Sequence, residues 1–292
     1  MVRGGAHPSR GGVSWVILGG GGLLAGHLRR ALGDLPVRAL PHAACDVTRP
    51  DAVAAAVRGA TVVINCAGFT AVDRAESEPD AARRVNVDGA AHVAHAAARA
   101  GALLVHLSTD FVFDGRAAPY RTDAAPHPLS TYGRTKRAGE LAALAAGGRV
   151  LLVRVQALYA ADGHTFASRI AAMLQSNANG VRIDDSRLIQ PTWAPIAAHQ
   201  IATLARTGSA GAFHLGCAGG TTWAGFGRAL AARLGVPPTF TAVPTAALAA
   251  LARRPADCRF DHAALLAAGV AVPSWEEGLD GYVASLGGGA AR

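Results

Sequence analysis

The stretch "VSWVILGGGGLLAGHLRRALGDL", residues 13–35, constrains the fold more than any other. A short, unbroken apolar run ends in four consecutive glycines, and an amphipathic pattern with helical spacing follows immediately. A buried strand passing through a tight turn into a helix is the opening unit of a parallel α/β sheet. The pattern then recurs. "PVRAL" is a second strand, "RPDAVAAAVRGA" a helix and "TVVINCAG" a third strand. "PDAARRVNVDGAAHVAHAAARAGA" is one long alanine-rich helix, leading to the strand "LLVHLSTDFVF". A helix around residues 131–145 precedes the strand "RVLLVRVQALY". Strands that are continuously apolar and alternate with helices predict a Rossmann-type, doubly wound parallel sheet covered on both faces. Past residue 160 the alternation loosens, with turn signals at "NANG", "VPP" and "AVPSW". This predicts a smaller, less regular C-terminal substrate lobe. The expected organisation is a flexible leader at 1–12, a dinucleotide-binding domain at 13–156 with a return segment near 192–216, a substrate lobe at 157–191 and 217–286, and a flexible tail at 287–292.

Composition excludes several classes. At 51% hydrophobic and 16% charged residues, the chain of 292 residues has enough apolar material for a large core. The net charge of +8 suits phosphate-bearing ligands, but dispersed surface arginines account for it equally well. No basic tract with interleaved aromatics supports nucleic-acid binding. Apolar runs stop well short of twenty residues, so no membrane span is expected. Cys45, Cys66, Cys217 and Cys258 form no metal-ligand pattern and are expected to be small buried hydrophobes in a reducing, cytoplasmic setting. No metal is expected.

The glycine turn reads G-x-x-G-x-x-A at Gly19, Gly22 and Ala25. Glycine permits positive φ and close approach of a pyrophosphate, and the following helix offers free N–H donors, with Leu23 and Leu24 at its start. An NAD site normally has an acid about 20 residues further on. Here that region is "VRALPHAACD", with Arg38 and His42 and no carboxylate before Asp46. That leans towards NADPH over NADH, unless Arg38 simply points to solvent. Asp46, followed by Val47, either bonds an adenine or caps the next turn.

Tyr132 and Lys136 form Y-x-x-x-K on one helix face. A neighbouring ammonium would stabilise a phenolate and lower the tyrosine pKa. Lys136 is the only lysine in a chain that otherwise uses arginine, so a chance pairing is a poor explanation. Upstream, Ser108 and Thr109 end a strand, where a hydroxyl could bond a substrate carbonyl or, for Ser108, cap the loop.

With these features in place, the chain resembles the extended short-chain dehydrogenase/reductases, and more narrowly the dTDP-4-dehydrorhamnose reductase family of sugar-nucleotide 4-ketoreductases. The resemblance runs from about residue 14 to 285. It is carried by "NCAGFTAVDRAESEPDAARRVNVDGA", "STDFVFDG", "STYGRTKRAGE", "QPTWA", "GTTWAGFGRAL" and "RRPADCRFD". It implies that Thr109, Tyr132 and Lys136 are catalytic. It also implies that Cys66, Ala67 and Gly68 flank the cofactor and that Thr70, Ala71, Val72 and Asp73 form a loop near the substrate. Asn86 matches a helix asparagine that either bonds its own bent helix or takes part in catalysis. Arg182, Arg187 and Arg254 are candidates for a substrate pyrophosphate, or are merely exposed.

The sequence also departs from the family. "VQALY" stands where the family has T-S-W-V-Y, so Ala157 replaces a tryptophan and should reshape the sugar pocket. Ser186-Arg187 replace an Asp-Gln pair, Gln190 replaces a small residue, and Gly68-Phe69 differ from the usual arrangement. The resemblance implies NADPH-dependent reduction of the 4-keto group of a dTDP-linked 4-keto-6-deoxyhexose, in deoxysugar or antibiotic biosynthesis, by a protein that is usually a homodimer. A non-catalytic NADP-binding regulatory subunit and a reductase of a non-nucleotide ketone are the alternatives.

Overall fold

The computed structural model describes residues 14–176 and 180–287. The leader at 1–12 lies outside them. So does the tail apart from Gly287, and the "NANG" turn apart from Gly180.

Six parallel strands form the central sheet: β1 (Trp15–Leu18), β2 (Val37–Leu40), β3 (Val62–Asn65), β4 (Leu103–Thr109), β5 (Val150–Val155) and, after three short strands elsewhere, β9 (Gly211–His214). Their order is β2-β1-β3-β4-β5-β9. The chain goes both ways from β1, which opens a crevice beyond the carboxyl ends of β1 and β3.

Alternation within the strands builds two cores. Trp15 and Ile17 pack to one side, against Leu24, Leu28 and Leu32 of α1 (Leu23–Leu32) and Ile201 and Leu204 of α8 (Ala194–Arg206). Val16 and Leu18 pack to the other, against α2 (Pro50–Ala56), α5 (Gly89–Arg99) and α6 (Thr131–Ala145). All seven residues of β4 are buried, as expected for a strand covered on both faces.

Between β3 and β4 the chain departs from expectation. Val72 and Asp73, expected in a loop with Thr70 and Ala71, instead open a helical turn, α3 (Val72–Ser77). The long helix is broken into α4 (Pro79–Arg83), a π-helical turn at Arg84–Asp88, and α5. Past residue 156 the short strands β6 (Leu158–Tyr159), β7 (Arg182–Asp184), β8 (Thr192–Trp193) and β10 (Thr241–Val243) form two-stranded pairs, β6 with β8 and β7 with β10. With α7 (Phe166–Gln175), α9 (Trp223–Leu234) and α11 (Trp275–Gly287), they surround a separate aromatic core of Tyr159, Phe226, Trp275 and Tyr282, whereas Leu265 of the intervening α10 (Ala263–Ala267) joins the core of Trp15 and Ile17. Cys45, Cys217 and Cys258 are buried, but Cys66 is only half-buried, at a cavity wall. No helix among the described residues is long and apolar enough to cross a membrane.

Candidate active site

The first βα turn is built by close approach. Gly19 has φ +75°, and a Cβ there would stand 2.6 Å from the Ala67 nitrogen. A Cβ on Gly20 would meet the Ala39 carbonyl carbon and the Leu40 nitrogen at 2.7 Å. Gly20 is therefore as constrained as Gly19, although the G-x-x-G-x-x-A pattern passes over it. Gly22 caps α1 without a side chain, which leaves the helix N–H groups open to the crevice. Gly19, Gly22, Asp46, Val47, Cys66, Ala67 and Gly68 all line one cavity of about 350 Å³. The cradle fits a dinucleotide, because the uncapped N-terminus of α1 stands at a cavity whose wall there is made of Gly19, Gly21 and Gly22, with no side chain to keep a pyrophosphate from the backbone.

Arg38 is not part of this wall. Its guanidinium donates to the Ala56 carbonyl at 2.5 Å, on the face that α2 covers. The Asp46 carboxylate accepts from the Thr48 backbone N–H (2.9 Å) and hydroxyl (2.8 Å), so it caps the following turn while still bordering the cavity. Those bonds, the backbone one first, hold it below the usual carboxylate range.

A second cavity, of about 420 Å³, brings together Thr109, Tyr132 and Lys136. Leu23, Leu24, Thr70, Val72 and Ala157 also line it, and Cys66, Ala67 and Gly68 are shared with the first. Tyr132 and Lys136 sit in the first two turns of α6, whose N-terminus is tightly fixed. Ser130 caps it by accepting from the Gly133 N–H (3.1 Å), and Glu76 accepts from the Thr131 N–H (2.8 Å) and hydroxyl (2.6 Å). A Cβ on Gly133 would stand 2.2 Å from the Phe111 oxygen, and one on Gly139 2.1 Å from the Asn86 oxygen. The two glycines of "YGRTKRAGE" thus let α6 lie directly on the backbone behind the site.

Asn86, in the π-helical turn, braces a loop. Its amide accepts from the Phe69 N–H (2.8 Å) and donates to the Phe69 carbonyl (3.1 Å) and the Thr135 hydroxyl (3.1 Å). It bonds a neighbouring loop rather than its own bent helix.

The charges are arranged around burial. Lys136 donates to the Leu107 carbonyl at 2.6 Å, and burial pushes its pKa down to about 8, against the pull of Glu140 and Cys66. Burial pushes Tyr132 up to about 12; the Thr109 hydroxyl beside it works the other way, and the charge of Asp110 adds to the rise. The expected depression of Tyr132 by Lys136 is therefore not made by the protein's own groups. Ser108 also lines this cavity, but its hydroxyl proton is given to Glu140 at 2.6 Å. Glu140 also receives Arg154 (2.8 and 2.9 Å) and Arg137 (2.7 Å). Burial opposes the Glu140 charge, but these donors outweigh it and keep the carboxyl below its usual range.

A third cavity, of about 360 Å³, adjoins the second and shares Asp110, Phe111 and Ala157 with it. Ala157 has φ +45°, a left-handed conformation uncommon for alanine, at the point where the two spaces meet. Arg187 and Arg254 line the third cavity, but both are paired: Arg187 with Asp184 at 2.6 Å, Arg254 with Asp73 at 2.7 Å. The pairing with Arg254, first, keeps Asp73 below the usual carboxylate range. Arg182 is exposed and does not contribute to the wall. Sequence reasoning missed Arg169, which lines the cavity, stacks over Phe166 at 5.2 Å, and has no carboxylate partner among the described residues. It also missed Asp110 and Gln156, which are bonded to each other at 2.9 Å. The Gln in place of Ser within "VQALY" was the available signal.

Fold and site together define a doubly wound, dinucleotide-binding α/β protein with a tyrosine–lysine pair facing its nucleotide crevice. The RmlD substrate binding domain model matches residues 14–287. A dTDP-4-dehydrorhamnose reductase of Streptomyces griseus is 38% identical over 95% of each chain. A probable dTDP-4,6-dihydroxy-2-methyloxan-3-one 4-ketoreductase of Streptomyces antibioticus is 41% identical over 72% of this chain and 73% of its own. Among solved structures, a dTDP-4-dehydrorhamnose reductase from Bacillus anthracis in complex with NADP superimposes with a TM-score of 0.90 at 28% identity, covering 94% of this chain and 99% of the other. The chain belongs to the dTDP-4-dehydrorhamnose reductase family of oxidoreductases.

Proposed function

We propose that this protein reduces the 4-keto group of a dTDP-linked 4-keto-6-deoxyhexose with NADPH, in the making of a deoxysugar for a secondary metabolite. The observation that carries the proposal is the meeting of two cavities at Asp110, Phe111 and Ala157: Tyr132, Thr109 and Lys136 line one, and arginines the other. NADP in the Bacillus anthracis relative, and the 4-keto sugar acceptor in the name of the Streptomyces antibioticus relative, support the cofactor and the substrate class.

In this reading residues 13–156 hold the dinucleotide, with Gly19, Gly20, Gly22 and the end of β3 at its pyrophosphate and Lys136 at its ribose. Residues 157–191 and 217–286 hold the sugar nucleotide. NADPH, when bound, supplies the hydride. Tyr132 gives its hydroxyl proton to the carbonyl oxygen, and a tyrosine held well above neutrality stays protonated until that oxygen becomes strongly basic. Thr109 lies beside the Tyr132 hydroxyl on the cavity wall, and the buried Lys136 ammonium favours negative charge developing in the cavity. Ala157, in place of a large ring, leaves room beside the sugar.

The test is to follow NADPH absorbance with purified protein and dTDP-4-keto-6-deoxyglucose, its epimerised form and its deoxygenated derivatives. Oxidation is expected with at least one of them. Tight NADPH binding without oxidation of any would favour a regulatory, non-catalytic protein instead. Tyr132→Phe is expected to abolish turnover and leave NADPH affinity within about twofold; unchanged turnover refutes the assignment of Tyr132.

A further inference from the structure

Asp110 directly follows β4, is 6% exposed, and lines both the Tyr132 cavity and the arginine-lined cavity. One carboxylate oxygen accepts the Thr109 hydroxyl at 2.9 Å, and the other accepts the Gln156 amide at 2.9 Å. A threonine hydroxyl has one proton. While that proton is given to Asp110, Thr109 can only accept from the Tyr132 hydroxyl, which lines the same cavity beside it.

Asp110 is fixed from behind. Gln156 also donates to the Cys258 carbonyl (2.9 Å) and accepts from the Gln190 N–H. Gln190 in turn accepts from the Phe260 N–H (2.6 Å). Two glutamines, both at positions where the sequence departs from its family, therefore set the direction in which Asp110 points.

We propose that Asp110 is the proton reservoir for Tyr132, reached through the Thr109 hydroxyl. The inference rests on Tyr132 being the proton donor to the reduced carbonyl. With Asp110 protonated, its O–H turns to Thr109, the Thr109 O–H turns to Tyr132, and the Tyr132 O–H turns into the cavity. The Tyr132 O–H bond breaks as its proton passes to the substrate oxygen. The Thr109 proton re-forms the Tyr132 O–H, and the Asp110 proton re-forms the Thr109 O–H. The carboxylate left behind takes a proton from water through the adjoining cavity, so each turnover consumes one solvent proton and changes no redox state beyond the reduction itself.

The surroundings suit the role. Burial pushes Asp110 up to about 6, against the Gln156 and Thr109 bonds and the Arg187 charge. Tyr132 and the Cys258 thiol also face it, and Asp73, Asp184, Arg169 and Arg254 line the same cavity. A carboxyl poised there changes charge within a working pH range.

The experiment compares kcat against pH, from about pH 5 to 8, with a carboxyl titration of the protein alone by 13C-aspartate NMR. For the native enzyme, kcat is expected to fall about tenfold per pH unit above the pKa of a titrating buried aspartate. Asp110→Asn is expected to remove that NMR signal and the pH limb together, with kcat at the acid end at least about tenfold lower and NADPH affinity unchanged. Gln156→Leu removes a donor from the carboxylate, so the limb and the NMR titration should both move to higher pH. A purely structural Asp110 would shift neither. An Asp110→Asn enzyme that keeps the native limb, or a Gln156→Leu enzyme whose limb stays in place, overturns the relay. A Tyr132→Phe enzyme that still turns over overturns the assignment of Tyr132 instead; an inactive one beside an unchanged Asp110→Asn limb overturns the relay alone.

Discussion

Replacing Lys136 with Met should make the ligand-free protein more stable at neutral pH while destroying its turnover. The ammonium is 6% exposed and its pKa is pushed from 10.5 down to about 8. At about 1.4 kcal/mol per unit, the charged form costs the folded state about 3 kcal/mol relative to neutral lysine. Met has similar length and no charge to desolvate, but it leaves the Leu107 carbonyl without its 2.6 Å donor, a loss of about 1–2 kcal/mol. The net gain is about 1–2 kcal/mol, or a rise of about 2–3 °C in Tm for a chain of this size. The pH dependence is diagnostic. A lysine whose folded pKa lies below its unfolded one gives the native protein stability that is present above about pH 10.5 and lost as pH falls through about 8. The advantage of Met should therefore be full near pH 7 and fade towards pH 10. Lys136→Arg should fall progressively behind the native protein as pH rises above about 8, because a guanidinium cannot shed its proton there. Thermal denaturation of the three proteins at a series of pH values decides the matter. A Met variant less stable than native at pH 7, or one whose advantage does not shrink with pH, would refute the view of Lys136 as a buried charge kept for chemistry.

Substitutions at two further positions test the framework around the site. Gly139→Ala places a Cβ 2.1 Å from the Asn86 oxygen, so it should destabilise by about 2–4 kcal/mol in urea denaturation despite the better helix propensity of alanine. Ala157→Gly relieves a φ of +45° and should be neutral or stabilising by up to about 1 kcal/mol, whereas the β-branched Ala157→Val should cost about 2 kcal/mol or more by the same measurement.

The contrast between what was legible in the sequence and what was not follows from range. The glycine turn and the Tyr132–Lys136 spacing are local constraints: φ at Gly19 and the pitch of α6 act over a few residues, so their signals survive in a single sequence. Arg38 misled because its strand partner settles its direction. It lies opposite Val16, whose side chain faces the α2 side of the sheet, and its guanidinium follows that face to Ala56 instead of the crevice beyond Leu40. The π-helical turn was hidden because alanine-rich helical periodicity continues straight through it; only the approach of Gly139 to the Asn86 oxygen reveals why the backbone bulges there. Glu76 meets the head of α6 across 55 residues, Gln156 meets Asp110 across 46 and Cys258 across 102, distances at which spacing carries no information. The departures from the family were still visible as isolated letters, and the structure joins two of them. Gln156 and Gln190 hydrogen-bond to one another and together hold the 258–260 segment behind Asp110. A change at either position alone would leave a buried amide or backbone group without its partner, at a cost of about 1–3 kcal/mol. The two departures are therefore one change in the wall behind Asp110, beside the opening left by Ala157.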